Sequence, residues 1–109
     1  MYKLEDKEFD FKRVTTQDAL KVKSAMMILA NDKSNIENIE QANNVIDSLA
    51  IKYLKIKDNK GNWLENVEPI LIDSLFTNEF ASIEITAKFQ ERLQGFLNAL
   101  PSFQKVKKA

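Results

Sequence analysis

The chain has 109 residues, 44% hydrophobic and 29% charged, which suits one globular domain and excludes the composition of a disordered protein. Sixteen basic residues balance sixteen acidic ones, so net charge gives no attraction to nucleic acid or to an anionic membrane. Cysteine and histidine are absent, which excludes disulfides, a thiol nucleophile, an imidazole base and metal sites that need these ligands. Two glycines and two prolines favour helices joined by few loops.

The N-terminal segment, residues 1–14, alternates charged residues with Leu4, Phe9, Phe11 and Val14. This spacing fits either a short strand or an extended arm that docks two phenyl rings onto a bundle of helices. We favour the arm, because the sequence shows no hairpin turn beside it.

The first helix is predicted from Thr15 or Thr16, either of which suits an N-cap, to about Ala30. It ends in a run of consecutive apolar residues, Met26, Met27, Ile28 and Leu29. Such a run faces several directions at once. This end of the helix is therefore either enclosed on all sides or partly left for a binding partner.

The segment from Ser34 to Lys57 is predicted to be the central helix. Its apolar residues recur at steps of three and four, as on one face of a helix: Ile36, Ile39, Ala42, Val45, Ile46, Leu49, Tyr53 and Ile56. Ser34 and Glu37 have the spacing of a capping box. Three lysines, Lys52, Lys55 and Lys57, stand at the far end, where the helix dipole favours positive charge.

Residues 58–62 are predicted to form a loop, in which Gly61 is able to adopt a positive φ. The loop is not an EF-hand, because Lys60 occupies a ligand position and Pro69 stands where the final glutamate is required. Trp63 follows, and it is interpreted either as an apolar plug on the bundle or as an exposed anchor for a partner.

Two further helices are predicted, a short one from Pro69 to Thr77 and an amphipathic one from Ser82 to Leu100. Pro69 suits the first position of a helix, and Pro101 disfavours helical geometry at the residue before it. The remaining residues, 102–109, are basic and are expected to form a flexible tail. The predicted fold is therefore all-α, a single domain of about four helices with an N-terminal arm.

No catalytic, cofactor or metal site is predicted. The i,i+3 carboxylate pairs Glu37 with Glu40 and Glu65 with Glu68 are better explained as solvated helix starts. Basic residues lack the interleaved aromatics of a base-stacking surface, and no run approaches the ~20 apolar residues that span a bilayer. An enzyme, a nucleic-acid partner and a membrane partner are not expected.

Several stretches together resemble one family. They are an arm with Phe9-Asp10-Phe11-Lys12, a helix opening Thr15-Thr16-Gln17-Asp18-Ala19, two central helices, a loop ending Gly61-Asn62-Trp63-Leu64-Glu65 and a closing amphipathic helix. In these features the chain resembles the tail assembly chaperones of long-tailed phages of Gram-positive bacteria, most closely those of lactococcal siphophages. The similarity covers most of the chain.

The resemblance implies a non-enzymatic protein made in the host cytoplasm and absent from the mature virion. It implies self-association, coating of the apolar helical tape measure protein, and help in recruiting the tail tube protein. The alternatives are a small helical DNA-binding or regulatory protein and a structural head-tail joining component. We expect the partner-binding residues to be those that do not fit one buried face: Met26, Met27, Ile28, Leu29, Trp63, Ile70, Ile72 and Phe80.

Overall fold

The computed structural model of the protein describes residues 1–99. Within this range a β-hairpin followed by two helices occurs twice. The elements in chain order are β1 (Tyr2–Leu4), β2 (Lys7–Phe11), α1 (Thr16–Ala30), α2 (Ile36–Tyr53), β3 (Leu54–Lys57), β4 (Trp63–Leu64), α3 (Pro69–Leu75) and α4 (Ala81–Ala99).

The prediction of an all-α bundle is wrong, because the helices accompany a four-stranded antiparallel sheet with the order β1-β2-β3-β4. The fold is therefore mixed α/β. Phe9 of β2 pairs with Ile56 of β3, and Phe11 pairs with Leu54. All four side chains are at most 2% exposed. Burying alternate apolar residues on one face of paired strands stabilises the sheet more than an arm docked without pairing.

The N-terminal segment is thus a hairpin rather than an arm, and its turn carries no glycine. Leu4 pairs with Lys7, so Glu5 and Asp6 form a two-residue turn. Glu5 has a φ of 56°, a conformation that usually favours glycine. Its carboxylate accepts hydrogen bonds from the backbone N–H groups of Thr77 and Asn78, both at 3.0 Å. These contacts tie the hairpin turn to the loop between α3 and α4.

The first helix is confirmed from Thr16 to Ala30, and Thr15 Oγ1 caps it by accepting from the Asp18 N–H at 3.2 Å. The central helix is shorter than predicted. It starts at Ile36 after Asn35, whose side chain accepts from the Asn38 N–H at 2.8 Å. The predicted capping box is not formed, because Ser34 Oγ donates to the Ile28 carbonyl instead.

The central helix also ends early, at Tyr53, and β3 begins at the next residue. Lys55 and Lys57 therefore lie on a strand and not at a helix end. The two later helices are close to their predicted positions, Pro69–Leu75 and Ala81–Ala99. The predicted end at Leu100 and the basic tail of residues 102–109 lie outside the described residues.

The buried side chains of β2 and β3, Phe9, Phe11, Leu54 and Ile56, share one side of the sheet, and α4 packs there. The Phe89 ring of α4 lies 5.1 Å from the Phe11 ring and 6.4 Å from the Tyr53 ring, which joins α4 to both β2 and α2. The opposite side of the sheet carries Asp10, Lys55 and Lys57, as the alternation of strand residues requires. This one-sided packing leaves the outer faces of the helices in contact with solvent.

Candidate functional site: two exposed apolar surfaces

A shallow groove of about 480 Å³ runs between α1 and α2. Its exposed wall surface is mostly apolar, and we call it the α1/α2 groove; it is lined by Leu20, Lys21, Ser24, Ala25, Ile28, Gln41, Ala42 and Val45. Ile28 and Val45 are each 36% exposed at its rim, whereas Ala25 and Ala42 are buried at its floor. The small floor residues make the groove, because α1 and α2 pack closely there and larger residues flank the contact.

A second apolar surface lies where α3 and α4 begin. Pro69 and Ile83 line one small depression together with Ile51 of α2, which brings the starts of the two helices together. Ile70 is 80% exposed, Ile83 is 65% exposed and Phe80 is 56% exposed. We call Pro69, Ile70, Phe80 and Ile83 the α3/α4 patch. Each of these exposed side chains lies within two residues of the first residue of α3 or α4, and exposed large apolar side chains mark candidate contact surfaces.

The structure places the eight residues predicted to bind a partner in different environments, some exposed and some buried. Ile28 lies in the α1/α2 groove, and Ile70 and Phe80 lie in the α3/α4 patch. Met26 and Leu29 are partly buried against the core, and Met27 is half-buried. The expectation for Ile72 does not hold, because its side chain is 0% exposed and forms part of the core.

Trp63 is half-buried on the outer side of the sheet and is not a plug on a helical bundle. Lys55 Nζ lies 4.8 Å from the centre of the indole and Lys57 Nζ lies 5.7 Å from it. Both lysines therefore make cation–π contacts with this ring. The ring is partly covered by these side chains and is separate from both apolar surfaces.

Sequence reasoning missed Leu20, Val45 and Ile83. Val45 was assigned to the buried face of the central helix, although the neighbouring Ile46 made the apolar stripe two residues wide at that point. One of two such neighbours has to lie at the edge of the stripe, and the structure buries Ile46 and exposes Val45. Ile83 stands two residues before Ile85, which is fully buried, so it lies off the core-facing stripe of α4.

A buried carboxylate lies beside the groove. Asp18 is 5% exposed and accepts hydrogen bonds from Tyr53 Oη at 2.5 Å and from Lys52 Nζ at 2.8 Å. The hydrogen bond from Lys52, followed by that from Tyr53, lowers the pKa of Asp18 to about 2, and the same contact raises the pKa of Lys52. Lys21, which lines the groove, is 3.7 Å from the second carboxylate oxygen. Asp18 therefore remains ionised at neutral pH and joins α1 to the end of α2.

Within residues 1–99 no three carboxylates come together in a way that would hold a metal ion. None of the helices in this range has the length and hydrophobicity needed to cross a membrane. Comparisons with protein-family models, with curated proteins and with solved structures found no match. The site is therefore interpreted from its own geometry, in which two exposed apolar surfaces are the most distinctive features of the described residues.

Proposed function

We propose that this protein is a non-enzymatic assembly chaperone that binds an apolar helical segment of another protein in the α1/α2 groove. On the resemblance described above, that protein is the tape measure protein of a long-tailed phage. The chaperone acts in the host cytoplasm during tail assembly, helps to recruit the tail tube protein, and is absent from the mature virion.

The observation that carries the proposal is the shape and chemistry of the groove. It is open along α1 and α2, and its volume of about 480 Å³ is lined by five aliphatic residues together with Lys21, Ser24 and Gln41. An amphipathic helix binds such a surface by placing apolar residues spaced by three and four into it. A tape measure helix with an apolar surface has the side chains that this groove accommodates.

The partial exposure of Ile28 and Val45 supports the same function. Each is exposed enough to contact a partner, yet each also packs at its base against its own helix pair. A partner helix that covers these residues removes apolar surface from water at about 25 cal/mol per Å². Binding of a partner helix in the groove is therefore favourable and requires no change in the fold.

The experiment is co-expression of the full chain with a fragment of a tape measure protein. We expect the fragment to remain soluble with the wild type and to precipitate with Val45→Asp. The substitution places an unpaired carboxylate in an apolar contact, which costs more than about 1.4 kcal/mol and weakens binding about tenfold or more.

The matched control is Asn44→Asp, which adds the same charge at the adjacent exposed position of α2. Circular dichroism of both variants establishes that they remain folded. If the fragment is equally soluble with Val45→Asp and with Asn44→Asp, the groove is not its binding site. If the fragment is insoluble with the wild type as well, the chaperone function is refuted.

A further inference from the structure

A depression of about 230 Å³ lies between α2 and the start of α4, next to the α3/α4 patch. We call it the α2/α4 depression. One part of its wall is apolar and is formed by Ile51, Pro69 and Ile83. The other part is polar and is formed by Asp47, Ser82 and Thr86. The depression therefore offers an apolar surface and several oxygen atoms to the same ligand.

The polar groups of the depression have no partner within residues 1–99. No ion pair or hydrogen bond in this part of the chain engages the carboxylate of Asp47 or the hydroxyls of Ser82 and Thr86. Ser82 and Thr86 are four residues apart on α4, so they lie on the same face of that helix. A carboxylate and two hydroxyls are thus available to accept hydrogen bonds from a bound group.

The elements that line the depression are acidic throughout. Residues 34–51, which include most of α2, contain three acidic residues and no basic residue. Residues 61–87, which include α3 and the start of α4, contain five acidic residues and no basic residue. Of these eight, only Glu65 forms an ion pair within residues 1–99, with Lys12. A depression lined by charge of one sign attracts ligands of the opposite sign.

The nearest basic residues along the chain face other parts of the protein. Lys52 follows Ile51 but donates to Asp18 on the other side of α2, beside the groove. Lys88 follows Ile83 by five residues, a rotation of about 140° around α4, and it lines a separate depression on the hairpin side of that helix. No cation of residues 1–99 therefore compensates Asp47 at close range.

We infer that the α3/α4 patch and the α2/α4 depression together bind a basic amphipathic helix of a second partner protein. Apolar side chains of that helix cover Ile70, Phe80 and Ile83, and one of its lysine or arginine side chains enters the depression. The aliphatic part of that side chain packs against the apolar wall, and its charged end donates hydrogen bonds to Asp47 and the two hydroxyls.

The charges of the described residues favour this occupant over others. An acidic partner would meet like charges, and an uncharged one would cover Asp47 without pairing it. Within residues 1–99 no three carboxylates come together in a way that would hold a metal ion. A basic helix satisfies both the exposed apolar side chains and the unpaired carboxylate.

This contact goes beyond the proposed function and does not depend on a tape measure protein. Val45 lines the α1/α2 groove, whereas Asp47 lines the depression. Two residues correspond to a rotation of about 200° around a helix, so the two surfaces lie on different sides of α2. The second partner therefore binds whether or not the groove is occupied.

The test measures binding of labelled synthetic peptides to the full chain by fluorescence anisotropy. One peptide has leucines spaced by three and four and lysines on either side of them, and a second has glutamine in place of every lysine. We expect the glutamine peptide to bind about tenfold more weakly, because it loses hydrogen bonds made by a charged donor. Asp47→Asn should weaken binding of the lysine peptide by a similar factor and leave the glutamine peptide unaffected.

Two matched pairs of variants locate the contact. Asp32→Asn removes the same charge as Asp47→Asn, but from the exposed link between α1 and α2, and should leave binding unchanged. Ile83→Ser should weaken binding about tenfold because apolar contact is lost, whereas Val45→Ser in the groove should not. Circular dichroism establishes that the variants are folded, and Ile70→Ser replaces Ile83→Ser if that variant is not.

Several results would overturn the inference. They are no binding of the lysine peptide, equal binding of both peptides, equal weakening by Asp47→Asn and Asp32→Asn, and loss of binding in Val45→Ser instead of Ile83→Ser. A peptide of residues 100–109, which contains three lysines and no acidic residue, is the third probe. If it alone binds, the occupant is the chain's own C-terminal segment, and if binding of the lysine peptide is lost as the protein concentration rises, the occupant is a second copy. No tape measure fragment is present, so the outcome is independent of the co-expression test.

Discussion

Asp18 is the residue through which α1 and α2 are joined at the end nearest the sheet. Its carboxylate receives hydrogen bonds from Lys52 and from Tyr53, the last residue of α2. The Tyr53 hydroxyl in turn lies 3.3 Å from Thr15 Oγ1 and accepts from the Thr15 N–H at the same distance. The capping residue of α1 and the last turn of α2 therefore share one polar network.

We expect Asp18→Asn to lower the free energy of unfolding at neutral pH by about 2 kcal/mol. The amide keeps the shape of the side chain but loses the charge, and hydrogen bonds to a charged group typically contribute about 1.5–3 kcal/mol. Urea denaturation of the wild type and the variant measures the difference. Lys52→Met is the comparison variant, since it removes the charged donor to the carboxylate and leaves the Tyr53 donor in place; a larger loss for Lys52→Met than for Asp18→Asn would contradict this account.

The effect of Asp18 should also depend on pH. Its pKa falls from an ordinary 3.8 to about 2 in the folded protein, so folding favours the ionised form. The stabilisation is complete above the unfolded pKa and disappears as the pH falls through the folded pKa. The stability difference between wild type and Asp18→Asn is therefore expected to be constant near neutral pH and to shrink from pH 4 towards pH 2. A difference that does not change over this interval would assign the stabilisation to another group.

At the scale of the elements, the sequence predicted helices better than strands. α1 was predicted to its ends because Thr15 is a strong N-cap and the apolar spacing of the helix begins at once. Most of α2 was predicted from its apolar spacing, although its cap was wrongly assigned to Ser34 rather than to Asn35. Such signals are local, so they can be interpreted from one segment without knowledge of its partners.

The sheet was missed because its signals depend on pairing between distant segments. Tyr53 and Ile56 are three residues apart, a spacing that continues the helical period of α2 into β3. The turn at Glu5 has no glycine, and its positive φ is accompanied by contacts with Thr77 and Asn78. Neither the pairing of Phe11 with Leu54 nor the contacts of Glu5 can be seen within a single window of sequence.

Helix α3 offers a direct comparison of its two faces. Ile72 is fully buried, whereas Ile70, two positions earlier, is 80% exposed. We expect Ile72→Ala to lower the free energy of unfolding by about 3 kcal/mol, because it leaves a cavity, and Ile70→Ala to change it by less than about 0.5 kcal/mol. Thermal and urea denaturation of the two variants measure this contrast. Equal losses would mean that α3 is packed in a different orientation.

For the whole molecule, the sequence predicted part of the candidate site. A surplus of apolar residues was evident from composition and spacing, and three of the eight predicted residues do lie in the groove or the patch. Which apolar residues are exposed depends on how the helices pack against one another and against the sheet, which residue type alone does not reveal. Ile72 was misplaced and Val45 was missed because residue type does not distinguish buried from exposed positions here: Ile72 is buried and Ile70 is exposed, and Ile46 is buried and Val45 is exposed.

The direct passage from α2 into β3 has a consequence for how this protein tolerates insertions. No loop residue lies between α2, which ends at Tyr53, and β3, which begins at Leu54. The direction in which each β3 side chain points is therefore fixed by the orientation of the last turn of α2. One extra residue at this junction would turn Lys55 and Lys57 towards the interior and Leu54 and Ile56 towards water, whereas the same insertion in the loop at residues 58–62 would be absorbed. Length variation in this molecule is therefore expected to accumulate in the loop and to be eliminated at the junction.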